Sequence, residues 1–209
     1  LISFPVYIFD VDGTLVDSAA DICGAIQGVL RKTDAAPVSD EFLRRYIGRH
    51  LVDLFQDLLP GLEVAQMDAM VQDYRSIYAA RDHAATRAYA GVIETLAVLP
   101  GRKSTATTKG TPTTRIVLER FGMLPYFDHV QGTDGFPAKP SPDVLFKAIT
   151  GLDARLEDCL FVGDSPADME AAKRAGMKSC AVTYGYGQRE DMARWSPDFW
   201  IDDFTSLNK

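Results

Sequence analysis

The chain has 209 residues, enough to bury a sizeable core, and its length fits one large domain or a core domain with a smaller insertion. Its hydrophobic content of 46% and charged content of 24% are those of an ordinary globular protein. The net charge of −7 argues against a binder of phosphate backbones, and no apolar run approaches the roughly 20 residues that span a bilayer. Neither nucleic acid nor membrane is an expected partner. The three cysteines, Cys23, Cys159 and Cys180, are odd in number and show no CxxC spacing. They predict neither a disulfide framework nor a zinc site, but buried thiols in a reducing compartment. No signal-peptide pattern precedes the first strand, so the expectation is a cytoplasmic protein.

In chain order, Val6-Tyr7-Ile8-Phe9 is a continuous apolar run that reads as a buried parallel strand. It runs into Asp10-Val11-Asp12-Gly13-Thr14, where the glycine allows a sharp turn. Helical spacing then begins with Ile22, Ala25, Ile26, Val29 and Leu30, with Ser18 as the expected N-cap. Ser39 is expected to cap a short helix that stops at Gly48. Leu51 to Leu58 continues helically as far as Pro60-Gly61, and Val64, Met67, Val71, Tyr74 and Tyr78 mark a longer amphipathic helix. Residues 17–83 thus read as almost purely helical, without a strand candidate, and as a bundle inserted after the first strand.

Strand–helix alternation returns after Tyr89. Helices are expected over 91–99 and 113–121, a Ser/Thr-rich strand over 103–107 and a short strand over 127–132. Ser141-Pro142 opens the next helix. Cys159-Leu160-Phe161-Val162-Gly163-Asp164 is another apolar strand ending on a carboxylate, and Ser165-Pro166 starts a helix ending near Gly176. Final strands fall at 178–183 and 199–201. This alternation predicts an α/β fold with a parallel sheet and helices on both faces.

Asp10 and Asp12 stand two apart, so an extended backbone puts them on the same side. So crowded, they would repel unless a cation lay between them or one held a proton. Parallel strands bring their carboxyl ends to one edge, which is where open α/β sheets bind ligands. There Asp10 and Asp12 would meet Thr107-Thr108-Lys109, Asp164, Asp168 on the first turn of its helix, and Lys139 in the loop Pro137-Ala138-Lys139-Pro140. Three or four acids, a hydroxyl and an ammonium suit Mg²⁺ and phosphoryl oxygens, and so phosphoryl transfer. Arg44, Arg45 and Arg49 flank Gly48, and an arginine there could hold a substrate carboxylate bidentately. Arg49 is the best placed of the three, against the alternative of a solvated helix face. The histidines, the tyrosines, Trp195 and Trp200 carry no expected catalysis.

Asp10-Val11-Asp12-Gly13-Thr14, Thr107, Lys139-Pro140 and Gly163-Asp164-Ser165-Pro166-Ala167-Asp168 together resemble the four motifs of the haloacid dehalogenase superfamily. Asp12-Gly13-Thr14-Leu15-Val16-Asp17-Ser18, Tyr89-Ala90-Gly91-Val92 and Tyr184-Gly185-Tyr186-Gly187 look most like its phosphoglycolate phosphatase branch. The resemblance implies a Rossmann-like core at residues 1–16 and 84–209 with a helical cap at 17–83. It implies Asp10 as nucleophile forming an aspartyl-phosphate, and Asp12 as acid and base. Mg²⁺ would be held by the Asp10 carboxylate, the Asp12 backbone carbonyl and Asp164, with Asp168 supporting the metal. Thr107 and Lys139 would bind the phosphoryl group, with Gly13 and Thr108 also facing the substrate. Thr108 departs from the asparagine usual in that branch. An aspartate at position 12 points to phosphate ester or anhydride hydrolysis, or to a phosphomutase.

The expected activity is Mg²⁺-dependent hydrolysis of a small phosphorylated metabolite, foremost 2-phosphoglycolate, by a monomer or homodimer. A pyrophosphatase, a nucleotide phosphatase and a phosphosugar mutase stand beside it as alternatives. A non-catalytic phosphate-binding regulator on the same fold is a further one.

Overall fold

The computed structural model describes residues 2–208. Five parallel strands form the main sheet: β1 (Val6–Phe9), β4 (Arg102–Thr105), β5 (Cys159–Gly163), β6 (Lys178–Val182) and β7 (Phe199–Ile201). Their order is β4-β1-β5-β6-β7, so the first strand is interior and its neighbours come from distant sequence. β1 is apolar throughout because both faces are covered. Tyr7 and Phe9 point into one core, against Val92 and Leu96 of α5 (Val92–Val98), Val117 and Leu118 of α6 (Thr111–Arg120), and Phe204. Val6 and Ile8 point into the other, against Val144, Leu145 and Ala148 of α7 (Asp143–Gly151) and Ala171, Ala172 and Ala175 of α8 (Pro166–Ala175). Beyond these, α9 (Arg189–Ala193) packs Met192 on Met169 and Ala181.

The inserted helices are α1 (Ala19–Leu30), α2 (Asp40–Arg44), α3 (Leu51–Leu58) and α4 (Val64–Ala80). They enclose an apolar cluster of their own, in which Ile22, Ile26 and Val29 meet Leu43, Leu54, Phe55, Met67 and Met70. The chain leaves the sheet through β2 (Val16–Asp17) and returns through β3 (Arg87–Ala88), and these two pair antiparallel. Asp17 therefore lies in a strand, inside a segment that reads as almost purely helical without a strand candidate. Two-residue strands have no periodicity to detect. Ser39 accepts from the Phe42 amide, as its N-cap reading expects.

The strand expected over 127–132 does not form. This segment runs beside β4, at the sheet edge, where the Asp128 and His129 amides both donate to Lys103 O and side chains make the remaining contacts. Gln131 N donates to Thr105 Oγ1 and Thr105 Oγ1 donates to Gln131 O, both at 2.9 Å. Asp128 accepts from Lys103 N, and Ser104 Oγ lies 2.9 Å from His129 Nδ1. The polar side chains of β4 have taken the groups a regular ladder would have used. That also accounts for the unusual Ser/Thr content of a strand this buried. Ser141 likewise does not cap α7. Its hydroxyl donates to the Asp143 carboxylate, and the helix begins one residue later than expected.

The described cysteines are buried free thiols, and among the described residues no helix is long and apolar enough to cross a membrane. Asp21, buried on α1, ties that helix to the chain returning from α4. It accepts from the Thr86 hydroxyl (2.7 Å), the Ala85 amide (3.0 Å) and the Arg81 guanidinium (3.0 Å). Burial alone would raise this carboxyl, but its donors outweigh burial and hold it below the ordinary value. A lowered folded pKa means stability that is complete above the unfolded value of about 3.9 and lost as pH falls through the folded one. Asp21→Asn should therefore cost about 2 kcal/mol at neutral pH, and less at pH 3. Urea unfolding at the two pH values checks this, and an unchanged midpoint at neutral pH would refute the tie.

Candidate active site at the carboxyl edge of the sheet

The register places the site. Phe9 of β1 pairs with Thr105 of β4 on one side and Val162 of β5 on the other. The Asp10 amide donates to Val162 O and the Ala106 amide to Phe9 O, which continues both pairings past the strand ends. Asp10, Thr107 and Asp164 thus emerge side by side from three adjacent strands, although more than 150 residues separate the first from the last.

Asp10, Asp164 and Asp168 each offer a carboxylate oxygen within 4.8 Å of the others, and all three residues are buried. Lys139 Nζ, also buried, lies 2.8 Å from Asp10 Oδ1 and 2.5 Å from Asp168 Oδ1, and donates to Ala106 O. Burial acts to discharge this ammonium, but Asp10 and Asp168 outweigh it and hold it protonated. Burial pushes Asp10 up to about 7, with Lys139 pulling it back and Asp168 pushing it further. Asp164 is raised by burial and then by Asp168 and Asp10.

Asp168 is the most committed of the acids. Its Oδ2 accepts from the Ser165 amide (2.9 Å) and hydroxyl (2.6 Å), and Ser165 Oγ caps α8 in return. Asp164 accepts from Thr14 Oγ1 (3.0 Å) and the Tyr186 amide (2.8 Å). Glycines make room for it: a Cβ at Gly13, whose φ is +89°, would lie 2.2 Å from Asp164 Oδ2, and one at Gly185 2.3 Å from Asp164 Cβ.

The donor set suits a hard divalent cation. Asp10 Oδ1 is buried in ion contact with Lys139 but outside hydrogen-bond geometry. Asp10, Asp12, Asp164 and Asp168 set four carboxylates against the two ammoniums of Lys139 and Lys109. Two negative charges would be left over if all were ionised, which is what a divalent ion neutralises.

Asp12 has different company. Its Oδ1 accepts from Ser18 Oγ at 2.6 Å, and its Oδ2 pairs with Lys109 Nζ at 3.2 Å. Lys109 also donates to the Tyr78 hydroxyl of α4 at 3.0 Å. Burial would lower this lysine, but Asp12 and the Tyr78 and Tyr74 phenols outweigh it and raise it. Ser18 therefore does not cap α1 as expected, because Asp12 claims its hydroxyl. The Tyr186 phenol caps instead, accepting from the Ser18 (2.7 Å) and Ala19 (3.0 Å) amides and donating to Asp17 Oδ1 (2.9 Å).

The structure brings together Asp10, Asp12, Gly13, Lys139, Asp164 and Asp168. Thr107 is buried at the neighbouring strand end, where its hydroxyl accepts from the Lys109 amide at 3.4 Å. Thr108 follows it, partly exposed. Arg49 is not drawn to the carboxylates. It is exposed, its guanidinium lies 4.8 Å from the Tyr46 ring centroid, and its Nε is 3.9 Å from Asp53. Its neighbour Gly48 is the residue that packs on Ser165. Arg45 pairs with Glu41 on the exposed face. Sequence reasoning missed Ser18, Tyr78 and Tyr186, and left Lys109 without a role. The Lys109 signal was its place at a strand end, and that of Tyr186 its position between two glycines.

A parallel sheet with carboxylates, an ammonium and a hydroxyl at its carboxyl edge, and helices inserted after its first strand, is the arrangement of a hydrolase that works through acids rather than a serine nucleophile. The chain belongs to the haloacid dehalogenase-like hydrolase family, whose model matches residues 7–182. It is 32% identical to phosphoglycolate phosphatase 1 of Pseudomonas aeruginosa over 96% of this chain and 77% of that protein. It is also 32% identical to a phosphoglycolate phosphatase of Vibrio parahaemolyticus, over 95% and 92% of the two chains. A haloacid dehalogenase-like family hydrolase from Streptococcus pneumoniae superposes with a TM-score of 0.86 at 26% identity, over 97% of this chain and 96% of that one.

Tyr186 joins the two halves of this arrangement, through its amide on Asp164 and its phenol on α1. Tyr186→Phe should leave two helix-terminal amides without their acceptor. The cost should be about 1 kcal/mol and a melting temperature lower by about 2–4 °C. Calorimetry checks it, and an unchanged melting temperature would show that water replaces the phenol at no cost.

Proposed function

We propose that the protein is a Mg²⁺-dependent phosphomonoesterase of small phosphorylated metabolites, with 2-phosphoglycolate as the leading substrate. The observation that carries this reading is the division of labour between Asp10 and Asp12. One lies among metal-suited acids and the buried Lys139, the other among Ser18 and Lys109. The two neighbouring carboxylates thus have environments fit for different tasks. The relatives named phosphoglycolate phosphatase support the choice of substrate.

In this mechanism a carboxylate oxygen of Asp10 attacks phosphorus in line, and an aspartyl-phosphate forms as the ester P–O bond breaks. Asp12 gives its proton to the leaving oxygen. The resulting Asp12 carboxylate then takes a proton from the water that attacks the aspartyl-phosphate, releasing phosphate and restoring Asp10. Lys139 keeps Asp10 oriented and offsets its charge, and Thr107 donates to a phosphoryl oxygen. The Asp10 and Asp164 carboxylates with the Asp12 carbonyl would hold Mg²⁺, and Asp168 would position Lys139 and support the ion from behind. When bound, the ion supplies charge neutralisation to the phosphoryl oxygens.

Asp10 is 1% and Asp12 7% exposed, and we take movement of the helical block from the sheet as the route by which substrate reaches them. We assign that block to residues 17–83, with the β2–β3 pair as its hinge. Buried free thiols suit a cytoplasmic setting.

Turnover of p-nitrophenyl phosphate with Mg²⁺, and its loss on chelation, is the first test. Absence of Mg²⁺-dependent turnover in folded protein would sink the enzyme reading. Mg²⁺ should also raise the melting temperature by binding only the folded state. Asp10→Asn should lower kcat by at least about 10³-fold with the fold kept, as removal of a nucleophile does. Residual turnover within about tenfold of the wild type would refute its role.

A further inference from the structure

We propose that Lys109 selects substrates whose leaving group is negatively charged, its ammonium binding a carboxylate carried next to the departing oxygen. The inference rests on the phosphatase reading and adds a residue that its mechanism does not use.

Lys109 follows Thr107 in the loop after β4, and its side chain is 8% exposed. A buried ammonium needs compensation, and here it has one carboxylate, Asp12, and one phenol, Tyr78. Asp12 already accepts from Ser18. An ammonium has three donors, and the hydrogen-bond and ion-pair contacts of Nζ among the described residues account for two. Lys139, the other ammonium of the site, is committed to Asp10, Asp168 and Ala106 O. Arg49 lies against Tyr46 and Asp53. Lys109 is therefore the cation placed to receive a further anion.

Its position relative to the chemistry is set by Asp12. The leaving oxygen must meet the Asp12 carboxylate to be protonated, and Lys109 Nζ lies 3.2 Å from Asp12 Oδ2. A carboxylate on the carbon beside the ester oxygen then falls within hydrogen-bond reach of Nζ. As the ammonium turns to that carboxylate, Asp12 Oδ2 is released toward the leaving oxygen. The surroundings favour a small group. Nζ lies 4.3 Å from the Tyr78 ring centroid, and Tyr74 stacks on Tyr78 at 5.7 Å, so an aromatic wall bounds this side and strengthens charge pairing. Tyr78 belongs to α4, so the full set of partners assembles only when the helical block is seated on the sheet.

The test compares 2-phosphoglycolate with the phosphate ester of glycolamide, an isostere whose leaving group is uncharged, by kcat and KM. The wild type should favour the carboxylate by about 30-fold or more in kcat/KM, the effect of one charged hydrogen bond in a buried site. Lys109→Met should erase most of that ratio, chiefly by raising KM for phosphoglycolate, and Lys109→Arg should restore part of it. A merely structural lysine would lower both substrates together. A wild-type ratio near one overturns the inference without any variant. A ratio that survives in folded Lys109→Met overturns it as well. Failure of the folded wild type to turn over p-nitrophenyl phosphate with Mg²⁺ removes the phosphatase reading and this inference together, and turnover of that ester but of neither glycolate ester removes this inference alone. Intact turnover with an unchanged ratio removes this inference alone.

Discussion

Everything in the site follows from crowding acids at the tip of one buried strand. Asp10 and Asp164 leave adjacent strands, Asp168 reaches back from the first turn of α8, and Lys139 is threaded between Asp10 and Asp168. In water such a cluster would fly apart or take up protons. In the folded chain the strands cannot separate without breaking the central ladder, so the charge must be met where it stands. Burial, with Asp168 beside it, raises the Asp10 carboxyl even though Lys139 pulls it back. In the proposed mechanism a divalent ion would make up the difference, and a phosphoryl group would bring oxygens that such an ion and Lys139 could share.

The same crowding shapes the backbone around it. Asp164 fits only because residues 13 and 185 lack a Cβ, and Gly13 also turns through a positive φ. The chain from Tyr184 to Gly187 thereby comes close enough for the Tyr186 amide to bond Asp164 while its phenol caps α1. The helical block is thus coupled to the acids at several points, one of them the Ser18 hydroxyl on Asp12. Tyr186 holds the start of α1, and Lys109 joins Asp12 to Tyr78 on α4. In the proposed mechanism, movement of the block would disturb these contacts and so rearrange the groups around Asp12.

The polar strand β4 belongs to the same economy of partners. As an edge strand it spends Ser104 and Thr105 on residues 129–131, and still delivers Thr107 to the site. A more apolar strand would have needed a sixth neighbour to cover its ladder. Here loop and side chains suffice.

Most of the fold was legible in the sequence: a buried apolar strand, the return of strand–helix alternation after Tyr89, and Ser-Pro at the start of α8. Each is a local signal, carried by side-chain period or by the chemistry of a helix end. The acids were legible too, because parallel strands must deliver their carboxyl ends to one edge, whereas Lys139 was marked by its motif resemblance, since the strand expected before its loop does not form. Partners between distant segments were not. Ser18 reads as a cap from its neighbours, and only the folded chain sets Asp12 close enough to claim its hydroxyl and Tyr186 close enough to replace it. The 127–132 segment has the composition of a strand, and only its position beside Thr105 diverts its hydrogen bonds. Arg49 has the right charge but lies against Tyr46. Lys109 carried no local mark beyond its place at a strand end, and gains meaning from Tyr78 on a helix more than 30 residues away. Local order is written in periods and caps, whereas the pairing of charges is decided by which surfaces the packing brings together.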